Sequence, residues 1–402
     1  MTSQPLFSRR AALLGAAAGV AALKAEARLP VAKAEEIGID TKRLDTAYNL
    51  LKKWTSGADA PVPGGAILVG CQGKVLPPRF FGRQGPEKDA KPIRDDALFL
   101  MASITKPVVY FAAMMLVERG LLNLSDRVTR YVPEFKAHGK DETLVVHLFT
   151  HTSGLPDMLD NNEQLRRDHA PLQTFMEAAA KETKPLFPAG TKLSYQSMGT
   201  LVVADIVQRL TGETISDFLR KEIFEPLGMK STRLGVQGLA AERIVRVQIP
   251  DYQKASNFDW NSDYWRKLGS PWGGMFSSPE DFAILCQVLL NGGSYGGVRL
   301  LSPAAVKMMT TNRLDDFPDL PEKVRRTEPW GLGWRMNHPG TPGSWGDLLG
   351  RQVFGHTGAT GTMVWLDPHT QRFAVLLTSA LREKAPWRLV HLSNAVAASF
   401  VK

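Results

Sequence analysis

Ser103 and Lys106 stand three apart in Met101-Ala102-Ser103-Ile104-Thr105-Lys106, at the mouth of an apolar run that reads as a helix. On a helix, positions i and i+3 share one face, with Cβ atoms about 5–6 Å apart. A serine hydroxyl is a weak nucleophile and needs an adjacent base. A buried lysine can be that base, because burial draws its pKa down from about 10.4. The helix start adds backbone N–H groups and positive potential for a developing oxyanion. The bland alternative is a serine near a helix cap and a solvated lysine. Tyr195, two residues before Ser197 in Leu193-Ser194-Tyr195-Gln196-Ser197, can supply a phenolate-type base and a substrate hydrogen bond, or simply pack. Gly355-His356-Thr357-Gly358-Ala359 offers glycines that let a backbone approach a ligand, with His356 and Thr357 facing a pocket. Its alternative is a glycine-rich edge with a surface histidine.

Three further patterns compete. Gly292-Gly293-Ser294-Tyr295-Gly296 matches the G-x-S-x-G nucleophile elbow, which needs a strand before it and a helix after it. Here a helix precedes it, so a loop is expected. His147 and His151 have the i,i+4 spacing of a zinc pair, but Leu148 stands where that motif carries glutamate and no third ligand is evident. A structural role is expected for both. Trp260, Trp265, Trp330 and Trp334 read as packing. Trp272, just before Gly273-Gly274, reads the same way from its residues alone.

The elements that must position these residues follow from periodicity. Thr41–Thr55 is an amphipathic helix, and Thr105–Arg119 is a nearly all-apolar, buried helix stopped by Gly120. Leu172–Lys181, Met198–Leu210, 279–291 and 386–401 also read as helices. Gly64–Cys71 and Val75–Phe81 read as strands joined at Gln72-Gly73-Lys74. Gly361–Leu366 and Arg372–Thr378 read as a second strand pair. Strands thus lie at both chain ends and helices in the middle. The economical architecture is α+β, an antiparallel sheet flanked by helices with a mainly helical insertion. Residues 41–120 and 263–402 form the sheet region, 121–262 the helical region, and 28–40 a linker.

The chain has 402 residues, 44% hydrophobic and 22% charged, which excludes a disordered chain, a coiled coil and a collagen. A net charge of +9 without any Lys/Arg run gives no reason to expect a nucleic-acid partner. Cys71 and Cys286 lie in apolar runs and read as buried small hydrophobes, with a disulfide left open. Residues 1–27 read as an export address. Arg9-Arg10 precede the apolar run Ala11–Leu23, and Ala25-Glu26-Ala27 is a small-x-small cleavage pattern. The Ser8-Arg9-Arg10-x-x-Leu13-Leu14 cluster resembles a twin-arginine signal, with a Sec signal or an uncleaved anchor as alternatives. A periplasmic or secreted protein without a stable membrane span in its mature form is expected.

In their order, the segments Ser103 to Pro107, Leu148 to Leu155 (LFTHTSGL), Pro271 to Ser278 (PWGGMFSS) and His356-Thr357-Gly358 resemble the serine β-lactamase-like superfamily. That group includes class C β-lactamases, D-Ala-D-Ala carboxypeptidases and family VIII carboxylesterases, and the resemblance spans about residues 35–400. It implies the β-lactamase/transpeptidase-like fold and a serine hydrolase working through an acyl-enzyme. Ser103 is then the acylated nucleophile, and Lys106 and Tyr195 share the acid/base work. The N–H groups of Ser103 and Ala359 form the oxyanion hole. His356, Thr357 and Gly358 line the substrate-binding edge, with Ser197 and Trp272 beside it. Two departures matter. Penicillin-hydrolysing members commonly have K-T-G and Y-x-N, where this chain has His356 and Ser197. A neutral histidine anchors a carboxylate less well than lysine. Small esters are therefore the expected substrates, ahead of amides and β-lactams. The alternatives are a D-Ala-D-Ala carboxypeptidase or D-aminopeptidase, a weak class C-type β-lactamase, or an inactive module that holds a cell-wall fragment. Neither a metal nor an organic cofactor is implied.

Overall fold

The computed structural model describes residues 28–341 and 344–401, so the export-type leader expected over 1–27 lies outside the described residues. Its centre is a seven-stranded antiparallel sheet drawn from both ends of the chain. The strands are β1 (Gly64–Cys71), β2 (Lys74–Val75), β3 (Arg79–Gly82), β4 (Arg335–Met336), β5 (Phe354–Gly358), β6 (Thr362–Asp367) and β7 (Arg372–Thr378). They run in the order β2-β1-β7-β6-β5-β4. β3 shares with β2 the outer side of β1, pairing at Gly64–Ile67 while β2 pairs at Gly70–Cys71. The expected single strand Val75–Phe81 is therefore two short ones. Pro77 and Pro78 lie between them, and neither has an N–H to continue a ladder.

Side chains alternate across the sheet with period two, and both faces are covered. Ala66, Leu68, Val375 and Leu377 face one core, while Ile67, Val69, Ala374 and Leu376 face the other. Burial on both sides explains why these strands read as continuous apolar runs. The second face is covered by α1 (Thr41–Thr55) and α7 (Trp387–Ala397). Asp40 caps α1 by accepting from the Arg43 N–H at 3.2 Å. Helix α7 ends before the expected residue 401, and Phe400 instead bridges to Ile39. Residues 28–40, read as a linker, are packed rather than free. Pro30 and Ala32 exchange backbone hydrogen bonds with Val75, and Leu29, Ala32, Ile37 and Ile39 are buried.

The first face carries α2 (Thr105–Glu118), α5 (Met198–Thr211) and α6 (Pro279–Leu290), with α3 (Asn162–Arg167) and α4 (Leu172–Lys181) further out. Helix α2 is buried at every residue from Thr105 to Leu116, and its apolar run from Pro107 onward accounts for that burial except at Thr105 and Lys106. Ser278 caps α6 and Pro279 opens it. Both cysteines are buried free thiols. Ser294 lies in a small hairpin, Ser294–Tyr295 paired with Val298–Arg299, rather than in the loop expected. A helix still precedes it, so the elbow geometry is absent there.

Four hydrogen bonds clamp the segment that leads into α2. Met101 N–H donates to the Met275 carbonyl (2.8 Å), and Met275 N–H donates to Thr105 Oγ1 (3.1 Å). Thr360 Oγ1 donates to the Leu100 carbonyl (2.8 Å), and Thr362 Oγ1 to the Met101 carbonyl (3.1 Å). Thr105 also donates to the Ala102 carbonyl at 2.7 Å. A Thr105→Val exchange keeps the shape but strands a buried N–H, which costs about 1–3 kcal/mol. Denaturant unfolding of Thr105→Val should show a loss in that range, and an unchanged midpoint would contradict this role.

Candidate active site

The chain enters α2 through a sharp turn. Ala102 has φ 48°, in the left-handed region that a non-glycine residue rarely occupies, and Ala102–Ile104 form a single 3₁₀ turn. Ser103 sits on that turn at the floor of a cavity of about 590 Å³. Lys106 lies one turn on, with Nζ 3.1 Å from Ser103 Oγ and 2.8 Å from the Trp272 carbonyl oxygen. Its side chain is 1% exposed. It forms no ion pair among the described residues, and Asp157 is the one acidic group whose charge reaches it. Burial dominates and brings its pKa down to about 7, while Asp157 works the other way. A neutral amine fits this setting: it donates to the Trp272 carbonyl and to Ser103 Oγ.

Tyr195 lines the cavity beside Lys106, whose Nζ lies 4.9 Å from its ring centroid. Its ring is 39% exposed to the cleft yet walled by protein. Loss of solvation raises the phenol pKa, and a hydrogen bond from Ser103 offsets part of the rise. Raised in this way, the phenol favours the hydrogen-bonding role over the phenolate one among the roles the sequence offers. His151 braces Tyr195 from behind. Its ring packs on Tyr195 (4.7 Å between centroids) and on Trp330 (4.5 Å), and its Nδ1 accepts from the Gln196 N–H. His147 instead faces Phe317 at 5.2 Å and accepts from the Leu144 N–H. The two histidines thus serve different neighbours, in keeping with the structural role expected.

Strand β5 brings His356, Thr357 and Gly358 to the cavity. β4 pairs only with Phe354 and Gly355, so the inner half of β5 is a free edge facing Ser103 among the described residues. Gly358 permits the approach, since a Cβ there would press into the Met101 carbonyl and Thr362 Oγ1. Ala359 follows at the cavity rim, its carbonyl fixed by the Arg382 N–H at 2.9 Å. His356 donates Nδ1–H to the Thr357 carbonyl at 2.8 Å. Burial, with the charge of Lys106, pulls its pKa down to about 3, so it is a neutral ring.

Ser197 lines the same cavity, but its hydroxyl is committed to Asp157 Oδ1 at 2.7 Å. Trp272 is also at the wall. Its ring is buried against Phe175 and Trp265, and its carbonyl holds Lys106, a contribution its side chain could not announce. The structure therefore gathers Ser103, Lys106, Tyr195, Ser197, Trp272, His356, Thr357, Gly358 and Ala359 around one cavity. It adds residues that sequence reasoning passed over. Asp157, Asn162, Arg166, Arg335 and Arg382 also line it, as do Trp260, Trp265 and Trp330, which had been read as packing. Asp157 lies two residues beyond the LFTHTSGL stretch, the one signal that could have flagged it.

A buried, carboxylate-free lysine on a serine, beside a free strand edge, defines the class of serine β-lactamase-like hydrolases. The family model described as Beta-lactamase matches residues 51–397, and the chain belongs to that family. A Salmonella schwarzengrund protein provisionally named D-alanyl-D-alanine carboxypeptidase is 27% identical over 384 residues, covering 87% of this chain and 85% of that one. A penicillin-binding protein homologue from Caulobacter crescentus superposes with a TM-score of 0.72 at 24% identity, covering 90% of this chain and 99% of its own. A family VIII carboxylesterase superposes with a TM-score of 0.69 at 19% identity, covering 89% and 98%. These two structural likenesses show the fold.

The Lys106 environment makes a direct prediction. With isotope-labelled lysine followed by NMR, the Lys106 amine should titrate near pH 7, far below the ordinary lysine value. Asp157→Asn removes the opposing negative charge, so the midpoint should move lower still. Titration near 10, or an upward move in Asp157→Asn, would contradict the arrangement.

Proposed function

We propose that the protein is an exported hydrolase that cleaves small carboxylic esters through an acyl-enzyme on Ser103. The observation that carries this reading is Lys106 Nζ at 3.1 Å from Ser103 Oγ, buried and brought to a pKa of about 7. A base with a pKa near the working pH is best suited to proton transfer. Neutral Lys106 takes the Ser103 proton as Oγ attacks the ester carbonyl carbon. The N–H groups of Ser103 and Ala359 receive the oxyanion. The tetrahedral adduct collapses with cleavage of the bond to the alcohol oxygen. The Tyr195 phenol protonates that oxygen, and the Lys106 ammonium replaces the tyrosine proton. Water, deprotonated by the same pair, then releases the acid and restores Ser103.

Esters rank ahead of β-lactams because His356 is neutral and the Ser197 hydroxyl is already engaged by Asp157. Two observations favour a carboxypeptidase as the second reading. One is the name of the Salmonella relatives. The other is Arg335 and Arg382, which line the cavity beside β5. The Arg9-Arg10 leader is the support for export. No helix among the described residues is long and apolar enough to cross a membrane.

With a short-chain p-nitrophenyl ester, the wild type should turn over and Ser103→Ala should fall by about a thousandfold or more. Deprotonation activates Lys106, so kcat/KM should rise with pH through about 7 and level off above it. Equal turnover by Ser103→Ala, or a rate that falls as pH rises through 7, would overturn the proposal.

A further inference from the structure

The cavity wall also carries polar groups that the acyl-enzyme chemistry leaves unused. Arg166 lines the cavity yet is only 3% exposed. No ion pair of Arg166 is found among the described residues. Its Nε is buried without a partner, and its hydrogen bond is a weak one, Nη2 to Met158 Sδ at 4.0 Å. The guanidinium lies over the Trp265 ring, 4.6 Å from the centroid. One helical turn earlier, on the same face of α3, Asn162 is also buried, and its Oδ1 has no partner. Trp265 Nε1 is likewise without a partner. All three residues line the cavity that holds Ser103.

Burying a cation without a counter-charge is costly unless a ligand completes it. The nearby carboxylates are engaged elsewhere: Glu163 pairs with Arg167, and Asp157 accepts from Ser197. A planar guanidinium matches the two oxygens of a carboxylate, and the neighbouring Asn162 amide can add a donor through Nδ2, its unpartnered Oδ1 being an acceptor. Tyr252, Tyr264, Glu163 and Asp157, in that order, act electrostatically on Arg166, and the two carboxylates among them favour a monoanion over a phosphate dianion. Trp260, Trp265 and Trp272 line the same cavity and suit an apolar segment between the carboxylate and the scissile bond.

We propose that Arg166 and Asn162 form a subsite for a carboxylate at the far end of the substrate, joined through an apolar segment to the ester at Ser103. This rests on Ser103 being the nucleophile. It narrows the substrate class to monoanionic esters, with the carboxylate on either the acyl or the alcohol part.

Three esters of matched length test it: one neutral, one with a terminal carboxylate on the acyl chain, one with it on the alcohol. One of the two anionic esters should exceed the neutral one in kcat/KM by about tenfold or more, as expected for a hydrogen bond to a charged group. That ratio should fall to near one in Arg166→Met. Asn162→Asp supplies an internal carboxylate to Arg166. It should lose the ratio too, with a melting temperature at or above that of the wild type, so misfolding cannot account for the loss. A neutral fluorophosphonate reports separately on Ser103. Labelling of Ser103 with no anionic preference, or with a preference that survives in both variants, overturns the subsite alone. If Ser103 is not labelled and no ester is cleaved, the nucleophile assignment fails and the subsite falls with it.

Discussion

An amine buried without a carboxylate is the constraint around which this molecule is arranged. Lys106 is almost fully enclosed, donates to one backbone carbonyl and touches the hydroxyl of Ser103. A carboxylate in contact would have stabilised the ammonium and removed the base. The surroundings avoid that. His356 and His151 are neutral rings whose own protonation is opposed partly by Lys106, and Tyr195 keeps its proton. Lys106 is the group of this centre that burial brings toward neutral pH.

Keeping an amine in that state requires rigid walls on several sides. Helix α2 supplies one by running through the core with every residue from Thr105 to Leu116 buried. The clamp of Met275, Thr360 and Thr362 on residues 100–105 ties the serine turn to the small strand Met275–Ser277 and to the β5–β6 turn. Parts of the chain far apart in sequence thus meet around the turn that carries Ser103. Pre-organised donors of this kind need little reorganisation as charge develops.

Much of this was legible in the sequence, for physical reasons. Ser103 and Lys106 are local, one turn apart on a helix whose unbroken apolar run announces its burial. The strands of both chain ends read clearly because burial on two faces makes them continuously apolar. The split between β2 and β3 was missed because it depends on which part of β1 each can reach, although Pro77 and Pro78 mark the place. Residues 28–40 looked like a linker because their burial comes from pairing with Val75 and Phe400, contacts no local pattern encodes. Arg166 and Asn162 carry no motif that would single them out, since only the tertiary fold encloses α3. Trp260 and Trp265 were taken for packing, and they do pack, but one side of each faces the cleft.

The most direct test of the account is to trap the covalent intermediate. The full-length protein would be mixed with an activated short-chain ester, quenched in acid within the turnover time, digested and mapped by mass spectrometry. The account predicts an acyl increment on the peptide that contains Ser103, absent in Ser103→Ala and strongly diminished in Lys106→Met. An increment on any other residue, or turnover with no covalent adduct in a burst experiment sensitive to one equivalent, would contradict it.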